Sequence, residues 1–468
     1  MIYDFAVIGA GSGGLSVAAA AAQFGKTVIL FEKGKMGGDC LNYGCVPSKA
    51  LIAAAKHAHA IRSGAKFGVD AAEPNINFKK VQEYVAGVIA AIAPNDSVQR
   101  FEGLGVKVVR GKASFRDAHT LECGESQYRA RRIVIATGSR ARIPAIPGLE
   151  DVPYLTNETI FANGVLPQHL IIVGGGPVGM EMAQAHRRLG AEVTVIDASH
   201  PLAKDDPELV APVLQALRAE GVTILEHEKI QNITHAKAGF AVATKNHGLL
   251  HGSHLLVAAG RTPNIEGLKL EAAGIAYSKH GITVDDRLRS SQRHIYAVGD
   301  VAGGLQFTHV ANYHAGLVMR HALFRLPVRN RTDIIPWVTY TDPELAHVGL
   351  SEAEAHKISG GSVKILRHPF QDNDRAHTEA KTAGLVKAIV AKNGKILGVS
   401  IVGAGAGDNI HPWVLALSQG LKIKSMATAV MPYPTRGEAS KRAAMSYYEG
   451  FASNRFLRYV IGFLELFG

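Results

Sequence analysis

Cys40 and Cys45 stand four residues apart in GKMGGDCLNYGCVPSKALI. Two thiols at that spacing can cycle between dithiol and disulfide. Both fall where a helix opens, and the positive end of its dipole favours a thiolate. Gly37, Gly38 and Gly44 around them permit the close approach of a flat ring. The ordinary alternative for such a pair is two buried apolar thiols, and the flanking units argue against it. Cys123 is the third and last cysteine of the 468 residues and reads as a structural or surface thiol. Three cysteines are too few for a secreted disulfide framework, so a reducing, cytoplasmic setting with a catalytic cystine is expected.

The elements that would position this pair are two copies of one βαβ unit. DFAVIGAGSGGLSVAAAAAQFGKTVILFEKG runs strand, glycine turn, alanine-rich helix and strand, and HLIIVGGGPVGMEMAQAHRRLGAEVTVIDAS repeats it. Gly9, Gly11, Gly14 and Glu32 shifted by 165 become Gly174, Gly176, Gly179 and Asp197, so the acid follows the third glycine by 18 residues in both. The first glycine makes the turn, the second lets backbone approach a pyrophosphate, and the third lets helix and strand pack closely. The helix N-terminus then faces the phosphates and the acid takes the ribose hydroxyls. Two such units imply two dinucleotides exchanging hydride.

Further strands end in chemistry-bearing turns: RIVIATGSRARIPAIPG, HLLVAAGRTPN and RHIYAVGDVAG, the last placing Asp300 at a strand's C-terminal end. The class expected is α/β. It has a dinucleotide-binding domain with the cysteine pair in 1–149, a nicotinamide domain in 150–270, a segment returning to the first domain in 271–335, and a C-terminal α/β domain in 336–468.

The chain resembles the pyridine nucleotide-disulfide oxidoreductases, the family of dihydrolipoamide dehydrogenase, glutathione reductase and mercuric reductase. GGDCLNYGCVPSKAL carries the likeness, with ATGS, GRTPN, AVGD and YTDPELAHVG following in family order. The resemblance implies two Rossmann-like domains, for FAD and NAD(P), and a C-terminal dimerisation domain. It implies hydride transfer from NAD(P)H through FAD to the Cys40–Cys45 disulfide and on to an acceptor. Cys45 would be the thiolate in charge-transfer contact with the flavin, Cys40 the interchange thiol, and Lys49 a neighbour of the reactive flavin nitrogen paired with Glu181. FAD would be held by Gly9, Gly11, Gly14, Glu32, Lys33, Gly38, Ala113, Thr137, Gly138, Asp300 and Thr308. The nicotinamide cofactor would be held by Gly174, Gly176, Gly179, Asp197, Gly260 and Arg261. NADH is expected over NADPH, because Asp197 would repel a 2′-phosphate. The resemblance also implies a homodimer whose active site is completed by the partner's C-terminal segment.

That segment departs from the pattern. Disulfide-substrate members carry His-Pro-Thr followed by an orienting Glu, whereas MPYPTRGEASKRAA keeps Pro434, Thr435 and Glu438 but places Tyr433 at the catalytic position. A phenol, with pKa about 10, is roughly a thousandfold short of the deprotonated form that an imidazole of pKa about 6.5 offers near neutrality. Mercuric reductase has a tyrosine at the matching place, and NDRA at 373–376 is also similar to such sequences. The C-terminal cysteine pairs of mercuric reductase and of the large thioredoxin reductases are missing, and no structural metal is expected. His411 reads as a packing histidine, with replacement of the base as its other role. The acceptor therefore stays open among a small or protein-bound dithiol or disulfide, a metal ion and a quinone-like molecule. A second class of function is a redox-sensing or docking subunit for a lipoyl or sulfur-carrier protein, with little turnover.

The formal charge of +11 and pI near 9.4 come without any run of like charges, so no nucleic-acid partner is expected. Residues 456–468, FLRYVIGFLELFG, include Arg458 and Glu465 and are too few to span a bilayer. They read as a packed terminal helix, with weak membrane-surface contact as the other use of such a stretch.

Overall fold

Apolar runs without alternation, such as IYDFAVI and VILFE, belong in a parallel sheet covered on both faces. The computed structural model, which describes residues 1–237, 239–359, 363–450 and 454–467, places them so. Ile2–Ile8 lies parallel to Val28–Glu32 on one side and Ser126–Ile135 on the other, with Val106–Arg110 beyond Val28–Glu32. Thr120–Cys123 and Ser114–Phe115 extend the sheet antiparallel, and Ile295–Ala297 returns to pair in parallel with 133–135. Phe5, Val7, Leu30 and Val134 are fully buried on one face of this sheet and Ala6, Ile29, Ile133 and Ile135 on the other.

The second copy builds a smaller parallel sheet, ordered Thr223–Leu225, Glu192–Ile196, His169–Val173, His254–Val257. The duplication extends to single hydrogen bonds: Gly9 N–H donates to Phe31 O at 2.8 Å, and Gly174 N–H to Ile196 O at 2.9 Å. An antiparallel meander, Ile230–Ala236, Gly239–Thr244 and Leu249–Gly252, accompanies it. Together these parts form one contact unit, Met1–Pro201 with Glu220–Thr332.

The other unit comprises Leu202–Ala219 and Asp333–Gly468. Its sheet is antiparallel, in the order Trp337–Thr339, Glu344–Gly349, Ile396–Gly403, Leu385–Ala391, Val363–Pro369. Trp413, Phe370 and Ala443 are buried against it. The helix Pro207–Ala219, which the sequence assigned to the nicotinamide domain, has its contacts here instead. Lys387, only 3% exposed, bonds to Asp206 at 2.6 Å, Glu208 at 2.8 Å and Glu352 at 2.6 Å, and Trp337 Nε1 donates to Asp205 at 2.7 Å. A buried ammonium needs such carboxylates, and Asp206 and Glu208 anchor that helix to the C-terminal sheet.

The terminal stretch differs from expectation. Arg455–Leu464 is a helix, capped by the Asn454 side chain, and continues into a turn at Glu465–Phe467, but neither contains a buried residue. It is helical without being packed.

Candidate active site

In both fingerprints the three glycines have distinct surroundings. A methyl on Gly14 would sit on the Gly9 carbonyl oxygen, and one on Gly179 on the Gly174 carbonyl oxygen. Gly9 and Gly174, at φ +105° and +108°, press against the carbonyls of Ala136 and Ala258 in the adjoining strand ends. The second glycine behaves otherwise: around Gly176 there is open space, and at Gly11 the nearest atom is the Gly38 Cα at 3.9 Å. A pyrophosphate fits where the backbone is bare and the helix N-terminus is uncapped by any side chain. The terminal acids match in turn. Glu32 accepts from the backbone N–H of Ala10 and of Gly34, each at 2.6 Å. Asp197 accepts from Gly175 at 2.6 Å and Ser199 at 2.7 Å. Each carboxylate is thereby fixed beside its turn, with lone pairs left for ribose hydroxyls.

The cysteines occupy two helices rather than one. Cys40 lies in the short helix Gly38–Asn42, and Cys45 is the first residue of Cys45–Arg62, with Gly44 between them. Gly37 and Gly38, at φ +85° and +60°, make the bend that leads in, and Gly37 N–H donates to Ala10 O at 2.9 Å, tying the pair to the first fingerprint. Both carry free thiols. Cys45 Sγ lies 3.3 Å from the Thr308 hydroxyl. A hydrogen bond from Cys40, then the Thr308 hydroxyl and the Lys49 charge, pull the Cys45 thiol down to about 6 against the cost of burial and the Asp39 charge. The same bond and burial push Cys40 up. One thiolate and one thiol at neutral pH is a division of labour between an electron donor and a nucleophile that must still lose its proton.

Lys49, one turn after Cys45, meets Glu181 at 2.8 Å; the ammonium is 37% exposed and the carboxylate 5%. Glu181 comes from the second fingerprint helix, Pro177–Arg188, so this ion pair joins the two dinucleotide-binding elements.

Asp300 follows Ile295–Ala297 in a 3-10 turn, Gly299–Ala302, and Gly299 N–H donates to the buried His314 Nδ1 at 3.2 Å. Burial holds His314 down at about 4, so it stays a neutral acceptor. Burial also pushes Asp300 up, opposed by the Ser139 hydroxyl and Arg261. Arg261, expected at the nicotinamide cofactor, lies beside Asp300 and Ser139. Its Nε donates to Ser139 Oγ at 2.7 Å, and its guanidinium pairs with Asp39 at 3.1 Å and reaches Asp300 at 3.7 Å. Thr137 and Gly138 are stitched to the same segment, since Asn264 Nδ2 donates to Thr137 O at 3.0 Å and Asn264 N–H to Gly138 O at 2.9 Å. Gly260, at φ +107°, packs against the Arg142 guanidinium. Lys33 is exposed on the turn after Glu32, and Ala113 is buried in the core.

Tyr433 and Glu438 lie in the C-terminal unit. The Tyr433 hydroxyl donates to Asp374 at 2.9 Å, and that carboxylate pushes the phenol above its ordinary value. Glu438, expected as the orienting partner, adds a smaller push in the same direction through its charge. Asn373 explains why Asp374 is there: it caps the helix Asp374–Thr378 and donates to Thr435 O at 3.1 Å, pinning the NDRA turn to the tyrosine's own loop. His411 is exposed rather than packed, its Nδ1 facing Asp408 O at 3.0 Å.

Sequence reasoning passed over Asp39, Asn157, Ser139, His314 and Asp374. Asp39 was in view, immediately before Cys40, but its partners Arg261 and Asn157, the latter 2.8 Å away, are more than 100 residues distant. Among the described residues no group of three or more His, Cys, Asp or Glu is arranged to hold a metal ion.

The comparisons with known proteins agree with this geometry. Residues 3–315 match the pyridine nucleotide-disulphide oxidoreductase family and residues 335–444 its dimerisation domain. A mercuric reductase of Streptomyces lividans is 36% identical over 95% of this chain and 96% of its own. A dihydrolipoyl dehydrogenase of Geobacillus stearothermophilus is 34% identical over 94% of each. The HOCl-induced flavoprotein disulfide reductase RclA of Escherichia coli superposes with a TM-score of 0.85 at 27% identity, covering 95% of this chain and 99% of that one. Two glycine cradles, a dithiol between them and matches along both halves of the chain lead to one conclusion: this protein belongs to the pyridine nucleotide-disulphide oxidoreductases, enzymes that use FAD and NAD(P)H to work a redox disulfide.

Proposed function

We propose that this enzyme passes electrons from NADH to a thiophilic metal ion by way of the Cys40–Cys45 dithiol, and that it serves dithiol and disulfide substrates slowly. The observation that carries this reading is the hydrogen bond from Tyr433 to Asp374. Oxidising a dithiol requires a group that takes up a thiol proton near pH 7, and a phenol held above its usual value by a carboxylate cannot do so. A soft metal ion needs no such base, because it displaces thiol protons as it binds. With Hg(II) on both sulfurs, breaking the two metal–sulfur bonds while the S–S bond forms leaves the ion reduced by two electrons and the disulfide restored; with Cu(II), two ions each take one electron, to Cu(I), for every disulfide formed. Bound FAD supplies the acceptor for nicotinamide hydride. Lys49, fixed by Glu181, places a positive charge beside the Cys45 thiolate, and Thr308 donates to it. The dimerisation domain supports a homodimer, with Tyr433 contributed across the two-fold to the other protomer's dithiol. The low cysteine content supports a cytoplasmic location.

The test is NADH oxidation with Hg(II), Cu(II), a quinone, lipoamide and glutathione disulfide. Turnover is expected with the metal ions. Tyr433→His should raise activity with dihydrolipoamide by up to the ~100-fold that a general base supplies at its low end, with flavin reduction unchanged. Fast wild-type turnover of dihydrolipoamide without a gain in the variant would return the protein to lipoamide chemistry. Flavin reduction with no turnover on any acceptor would favour the redox-sensing subunit instead.

A further inference from the structure

The terminal helix raises a question of its own, independent of the acceptor. At 100° per residue, Phe456, Val460, Phe463 and Phe467 fall on one stripe of the helix and the turn that continues it, with Leu457 and Leu464 on one flank and Tyr459 on the other. Arg455, Arg458, Gly462 and Glu465 share the narrow remaining arc. Inside a folded domain such a face would be buried, yet Phe456 is 71% exposed and Phe467 75%. Within the stripe, Phe463 packs edge-on against Phe467 at 5.2 Å between centroids. An apolar face this wide, left in water, calls for an occupant.

Three observations choose between occupants. The matched dimerisation domain ends at residue 444, before this helix begins. Its composition is that of an interfacial helix: aromatic and leucine side chains on one side, arginines on the other, and too short to span. Among the described residues no helix is long and apolar enough to cross a membrane. The charge also fits, since two arginines flank the stripe against one glutamate and the chain carries +11 overall, complementary to an anionic surface.

We infer that Arg455–Phe467 is a membrane-surface anchor that lies in the headgroup region of an anionic bilayer, its aromatic stripe among the upper acyl chains and its arginines on lipid phosphates. The enzyme would then draw its acceptor from, or deliver its product to, the membrane–water boundary.

Cosedimentation of the FAD-loaded enzyme with vesicles of phosphatidylcholine alone and with 30 mol% phosphatidylglycerol tests this. Binding to the anionic vesicles should be about tenfold stronger and fall with added salt. A chain truncated after Gly450, and the full chain carrying Phe456→Glu with Phe463→Glu, should both lose vesicle binding while keeping their NADH-dependent flavin reduction and their elution as dimers. Wild-type enzyme that stays in the supernatant with anionic vesicles would overturn the proposal. So would variants that fall apart into monomers, because the stripe would then be a contact between subunits.

Discussion

Arg261 offers the sharpest test of how charge governs the dithiol. Its guanidinium holds Asp39 at 3.1 Å, and Asp39 directly precedes Cys40. Asp39 works against the Cys45 thiolate, while Lys49, the Thr308 hydroxyl and the proton on Cys40 work for it. Glu181 neutralises Lys49 from the far side, and Asp300 sits 3.7 Å from Arg261. Arg261→Gln therefore uncovers a negative charge next to the sulfurs, and the thiolate should become harder to form. The Asp39 carboxylate stands beside Gly44, the residue before Cys45, so a separation of about 8 Å from the sulfur sets the scale. At an effective dielectric of about 20, a unit charge there is worth about 2 kcal/mol, or about 1.5 pH units. The Asp39 side chain is 35% exposed, and solvent screening brings the expected shift to about one unit. The assay is a pH titration of the long-wavelength charge-transfer absorbance in the two-electron-reduced enzyme, which should be half-formed near pH 6 in the wild type. It should move up by about one unit in Arg261→Gln and down in Asp39→Asn, because the second change leaves the guanidinium uncompensated. The double variant removes a near-neutral pair and should titrate close to wild type, as should Arg261→Lys, whereas Cys45→Ser should abolish the band. Titrations of the two single variants that coincide, or that shift in the same direction, would refute this electrostatic account and leave Arg261 as packing.

Two further outcomes follow from the fingerprints. Gly179→Ala puts a methyl on the Gly174 carbonyl oxygen, a clash of the kind that costs about 1–3 kcal/mol. NADH should then bind about tenfold or more weakly in stopped-flow flavin reduction while FAD content stays full, since the first fingerprint is untouched, and equal loss of FAD would mean a general folding defect. Asp197 is fixed by Gly175 and Ser199, and the nearest basic residue along the chain, His200, faces Glu226 and His227 instead. NADH should therefore give the higher kcat/KM, and Asp197→Asn should narrow the gap by about tenfold, the effect of removing roughly 1.4 kcal/mol of repulsion. Wild-type efficiency with NADPH at or above that with NADH would contradict it.

What the sequence made legible was set by how local each constraint is. Gly9, Gly14, Gly174 and Gly179 are required by backbone atoms a few residues away or in the adjoining strand end, so their spacing alone betrayed both cradles. The cysteine pair, Lys49 and Asp300 could be singled out because short motifs carry them. Arg261 is the opposite case. Its motif, GRTPN, follows a strand of the nicotinamide half, but the residues it serves, Ser139, Asp39 and Asp300, come from three other segments. The helix Pro207–Ala219 was assigned by chain order, whereas Lys387, 168 residues or more beyond it, decides where it packs.

Tyr433 shows how the two kinds of information combine. The sequence revealed that histidine had been replaced, but a replacement can be repaired, and Glu438 stood where it could have oriented a substitute base. The structure shows the phenol donating to Asp374, brought in by the capped NDRA turn, a bond that keeps its proton on rather than drawing it off. The departure at one position is thus reinforced by a second position 59 residues away. An arrangement that holds the proton in place at both ends suits an acceptor that strips protons from thiols by itself, and works against one that waits for a base.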